Sequence, residues 1–122
     1  MKKQTILPVL LALTISACNN DQTKSSIEGT YVNTGESEYS KVKDTLVIEA
    51  SEGNTFLIHR KTGIQLIHNE KLGKEQYEKE EWKALYDEDK KILTETSRGR
   101  IITPLPKANK LLVEKSEFIK VN

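Results

Sequence analysis

The chain has one cysteine, three prolines and six glycines in 122 residues, and only seven aromatic residues. A single thiol excludes an internal disulfide, and with it the small cross-linked scaffolds of secreted domains. No cysteine cluster exists to build a structural zinc site. Glycines such as Gly53, Gly63 and Gly99 stand alone and make no phosphate-cradling loop. No sign of charge prevails: 19 basic residues face 18 acidic ones, a net of +1. Such a balance offers no electrostatic reason for a nucleic-acid partner or an anionic membrane surface. The longest apolar run, Ile6–Ile15, rises only about 15 Å as a helix, half of what a bilayer core requires, and Pro8 interrupts it.

What is present begins with that run. Lys2 and Lys3 precede it, and Ser16, Ala17 and Cys18 follow. A basic start, a short apolar stretch and small residues before a cleavage point are the parts of an export signal. Ile15-Ser16-Ala17-Cys18 resembles the lipobox of bacterial lipoproteins. That resemblance implies cleavage between Ala17 and Cys18, with diacylglycerol attached to the Cys18 thiol and the new amino group acylated. Two lipid signals make durable attachment, where one acyl chain gives marginal binding. Asn19 rather than Asp after the cysteine implies an outer-membrane anchor facing the periplasm. The sequence thus divides into a signal peptide (1–17), a lipidated cysteine with a polar tether (18–26) and a single domain (27–122). Loss of Lys2 and Lys3 leaves the mature chain at a net of −1.

From Ile27 onward, short runs of β-branched and aromatic residues alternate with turn residues about every 8 to 12 positions. Strands are expected at Gly29–Asn33, Thr45–Ala50, Thr55–Arg60, Ile64–His68, Trp82–Tyr86, Ile92–Glu95, Arg100–Thr103, Leu111–Glu114 and Glu117–Val121. Breaks fall at 52–54, 61–63, 87–91, 97–99 and the Pro104-Leu105-Pro106 loop. Lys74–Glu80 is rich in Glu, Lys and Gln and reads as helical or irregular before a strand. The fold class is all-β: an antiparallel meander of eight or nine short strands closing as a small barrel or sandwich. Ile27-Glu28-Gly29-Thr30-Tyr31 resembles the opening strand of lipocalin-like domains, with Tyr31 where Trp is usual. Phe118-Ile119-Lys120-Val121 is similar to their closing strand.

Candidate chemistry is thin. His59 and His68, the only histidines, flank the expected Lys61-Thr62-Gly63 turn. A two-residue loop pairs His59 with Leu66 and brings both imidazoles to one face; a three-residue loop pairs Ile58 with Leu66 and sends them apart. The second register gathers Phe56, Ile58, Ile64 and Leu66 on one side, so the histidines are expected to diverge and no metal site follows. No nucleophile elbow or paired base exists, and the carboxylates lie in mixed-charge runs. No catalytic residue and no cofactor are expected. Arg98 and Arg100, two of three arginines, sit at a turn and have the forked geometry to grip an anion, but read more simply as a charged hairpin tip. Tyr31, Trp82 or Phe118 would line the mouth if the barrel holds an apolar ligand; otherwise they fill the core. The expected role is therefore non-enzymatic binding in the cell envelope. Its target is either a small apolar ligand, or another envelope protein engaged by a filled barrel that assists assembly or inhibits.

Overall fold

A computed structural model describes residues 22–122. A short helix, α1 (Gln22–Ser25), leads into nine strands. These are β1 (Gly29–Glu36), β2 (Ser40–Ala50), β3 (Thr55–His68), β4 (Lys71–Leu72), β5 (Gln76–Asp87), β6 (Ile92–Glu95), β7 (Ile101–Leu105), β8 (Lys110–Val113) and β9 (Ser116–Lys120). All pairings are antiparallel. The order β1-β2-β3-β5-β6-β7-β8-β9 returns to β1 through Tyr31↔Lys120 and Val32↔Ile119, which closes an eight-stranded barrel. β4 is an extra strand on the far end of β3. The all-β meander expected from the sequence is the one observed, as a barrel and not a sandwich.

Period-two alternation sets what points inward. In β5, Trp82, Ala84 and Tyr86 are buried between exposed Lys83 and Leu85; in β3, Phe56 and Ile58 are buried in the same way. Tyr31, Leu46, Ile48, Leu93, Ile102, Leu111 and Phe118 complete the interior, with Val113 packed against them. Five of the seven aromatic side chains are in this core, and Phe56 meets Tyr86 edge to face at 6.4 Å.

Three expectations are corrected. Lys61-Thr62-Gly63 is not a turn: β3 runs unbroken for 14 residues, paired with β2 on one side and β5 on the other. Two flanking ladders supply backbone bonds at each of these positions, and they outweigh a local turn preference. Nor is Lys74–Glu80 helical: Gln76 to Glu80 pair with Ile64 to Arg60 of β3. Helix-forming composition is a weak prior once a neighbouring strand is in place. The proline loop begins later than expected, because Pro104 and Leu105 belong to β7, and a single 3-10 turn follows at Pro106–Ala108.

Strand length divides the barrel. β1, β2, β3 and β5 have 8 to 14 residues, whereas β6 to β9 have 4 or 5. The long strands therefore overshoot the closed part at one end. The opposite end is plugged. Ile27 is fully buried there, and the Tyr31 hydroxyl donates to its carbonyl at 2.8 Å. Lys24 Nζ reaches Asn54 Oδ1 at 2.7 Å, and Lys120 Nζ reaches the Ser26 carbonyl at 2.9 Å. Part of the segment expected to be tether is thus bonded to the domain.

Candidate functional site

Toward the long-strand end, the inward row changes from apolar to ionic. Asp44 lies two residues before Leu46, Arg60 two after Ile58, and Glu95 two after Leu93, so strand alternation turns all three inside. Asp44 is buried and accepts Arg60 Nε at 2.9 Å and Nη2 at 2.5 Å, with the Thr62 hydroxyl at 3.0 Å. Arg60 Nη1 also lies 3.4 Å from Glu80. The hydrogen bond to Asp44 holds the guanidinium above its ordinary pKa, outweighing its partial burial, and the Asp44, Glu80 and Glu78 charges add to this.

Glu95 is 1% exposed. Burial pushes its carboxyl up, but the Ser97 hydroxyl and N–H, the Arg98 N–H and the Arg100 guanidinium hold it down at about 2. Trp82 lies between the two cations. Its ring centroid is 5.3 Å from the Arg60 guanidinium carbon and 4.4 Å from that of Arg100. The indole Nε1–H is buried with no acceptor among the described residues.

This cluster fixes structure more than it offers chemistry. Each guanidinium is already matched by carboxylate, Arg60 by Asp44 and Glu80 and Arg100 by Glu95. The Glu95 and Arg60 shifts run away from neutrality, opposite to what a general acid or base at neutral pH needs. Arg100, read from sequence as a possible anion grip, instead bonds Glu95 and covers Trp82; only Arg98 of the pair remains exposed. The cluster was missed in the sequence, although charged residues at inward positions of an alternating strand are its signal.

The other sequence candidates are dispersed. His59 and His68 are nine positions apart on one strand rather than across a hairpin. His59 sits between Glu49 and Glu81 at 3.4 Å from each, and His68 is exposed beside β4. Among the described residues no three metal-ligating side chains converge. Tyr31, Trp82 and Phe118 are 3%, 5% and 3% exposed, so they are core and not an open mouth. Two larger depressions, of about 350 and 310 Å³, open on the sheet around Lys41, Lys43 and Gln65, and around Val47, His59 and Lys79. Ala17 and Cys18 lie outside the described residues.

The long strands leave backbone uncovered. β5 pairs with β6 only from Ala84 to Asp87, and Lys83 adds one bond from Thr96. Gln76–Glu81 is consequently an exposed strand edge on that side. β1 likewise outruns β9 beyond Val32.

No family model, curated protein or solved structure matches this chain. The fold and its filled interior are the ground for a functional reading.

Proposed function

We propose that this is a lipid-anchored, non-enzymatic protein of the cell envelope that acts by contacting another protein through the outside of a filled barrel. The observation that carries the reading is the burial of Tyr31, Trp82 and Phe118 at 5% exposure or less. A small apolar ligand would have to displace them, together with the paired Arg60 and Arg100 above. An eight-stranded barrel encloses little more than its own side chains, which agrees with this packing.

Anchorage rests on Ile15-Ser16-Ala17-Cys18, and Asn19 favours the outer membrane with the domain facing the periplasm. α1 lies at the plugged end, so an anchor at Cys18 would direct the long-strand end away from the membrane. The test is native mass spectrometry of the full protein, released from membranes of its own host in mild detergent. The expected result is a chain cut before Cys18, carrying lipid and no further small molecule. A stoichiometric small molecule that survives release would overturn the filled-barrel reading. Retention of the first 17 residues would overturn the anchor.

A further inference from the structure

We propose that the edge of β5 from Gln76 to Glu81 docks an extended, lysine- or arginine-bearing segment of a partner protein as an added strand. This rests on the reading of the protein as a contact module and names its site.

The register determines what the edge presents. The Tyr86 N–H donates to the Asn54 carbonyl on the β3 side, whereas the Lys83 carbonyl accepts from Thr96 on the β6 side. Successive residues of a strand turn their backbone groups to opposite sides. Gln76, Glu78 and Glu80 therefore bond to β3, and Tyr77, Lys79 and Glu81 direct their N–H and C=O groups to the side where β6 has ended. No partner for those groups lies among the described residues. Three donors and three acceptors in alternation form a ready ladder for an incoming strand.

Charge selects the occupant. On the barrel-facing side of this edge the side chains are Gln76, Glu78 and Glu80, with no cation among them. A second copy fits badly: antiparallel pairing centred on Lys79 sets Glu78 against Glu80 of the copy twice, and Lys79 against itself. Like charges directly opposite are destabilising. This charge pattern deters self-association of an exposed edge. It also complements a strand with basic residues at alternate positions, which would meet Glu78 and share Glu80 with Arg60.

The experiment is amide hydrogen exchange by NMR on the full ¹⁵N-labelled protein in detergent micelles. The probe is a blocked nonapeptide of alternating lysine and valine, and its glutamate–valine counterpart is the control. The lysine peptide should slow exchange at Tyr77, Lys79 and Glu81 at least tenfold and leave Glu78 and Glu80, already bonded to β3, unchanged. Lys79→Pro removes one outward N–H without touching the β3 ladder, and should abolish the effect. If that variant does not fold, Glu78→Lys serves: it should weaken the lysine peptide about tenfold and improve the glutamate peptide. Failure to protect those three amides, equal protection by both peptides, or full protection in folded Lys79→Pro would overturn the assignment. A barrel found empty together with unprotected amides would remove this edge alone. A small molecule held in the barrel would remove the contact-module reading beneath it.

Discussion

Arg60 holds Asp44 with two nitrogens across the β2–β3 ladder, Nε at 2.9 Å and Nη2 at 2.5 Å, two residues out of direct register. Asp44 pairs with Thr62 in the ladder, so the guanidinium reaches diagonally, and the Thr62 hydroxyl takes the remaining position at 3.0 Å. Removing one member leaves a charge with little water to replace it. Asp44→Ala should cost about 2–4 kcal/mol by urea denaturation. Replacing both partners with apolar residues, as Asp44→Leu with Arg60→Met, should cost clearly less than the two single changes added together, because no orphan charge remains. Additive losses would mean that the pair is not coupled.

Glu95 makes acid stability the second check. Its folded value of about 2 lies below its ordinary 4.5, so the unfolded chain binds the proton more readily. The stabilisation is therefore complete above about 4.5 and falls away as pH drops from there toward 2. Glu95→Gln keeps the shape but loses the charge facing Arg100 and the full acceptor capacity for Ser97 and Arg98. Urea midpoints measured from pH 7 to 2 should be lower for Glu95→Gln at pH 7 and converge with wild type at the acid end. Parallel curves would show that another carboxylate governs the acid limb.

Two glycines separate two kinds of constraint. At Gly29, φ is +150° and a β-carbon would lie 2.5 Å from the Asn122 carbonyl oxygen and 2.7 Å from Lys120 Cε. Backbone cannot step aside as a side chain can, so Gly29→Ala should cost about 2–3 kcal/mol and loosen the β1–β9 closure. At Gly63 the neighbours are Tyr77 Cε1 and Glu75 Oε2, both at 3.2 Å on exposed side chains. Gly63→Ala should stay within about 1 kcal/mol. Thermal melts of the two variants side by side check the contrast, and equal losses would refute it.

Gly63 also explains where the sequence misled. Lys61-Thr62-Gly63 has the composition of a hairpin turn, and local rules cannot see that β2 and β5 are both long enough to pair alongside it. The glycine stands mid-strand, where the Tyr77 ring and Glu75 lie 3.2 Å from the place a β-carbon would take. The Lys74–Glu80 run misled for the matching reason, since its strand state comes from β3 and not from its own residues. Alternation was legible wherever one face was apolar, as in Trp82-Lys83-Ala84-Leu85-Tyr86, and it gave the meander and most of the core. Asp44, Arg60 and Glu95 were not legible as a site, because a charge at an inward position acquires meaning only when its partner on another strand is known.

The plugged end supplies the last prediction. Tyr31 is 3% exposed, and its hydroxyl donates to the carbonyls of Ile27 and Ser26 at 2.8 and 3.3 Å. Burial pushes its pKa up to about 12, above the ordinary 10. Because the folded value is the higher one, the group contributes in full below about pH 10, and that contribution disappears as pH rises from 10 to 12. An ultraviolet titration near 295 nm should therefore show ionisation near 12, and Tyr31→Phe should lower the amplitude there by one tyrosine. The same change should cost about 1 kcal/mol at neutral pH, since it leaves the Ile27 carbonyl without its donor. Unfolding should then begin at the segment from α1 to Ile27, measured as earlier amide exchange at Ile27 than at Leu46 or Ile58. If Ile27 stays as protected as those core residues in Tyr31→Phe, the hydroxyl is not what fastens the plug, and the burial of the Ile27 side chain alone must do so.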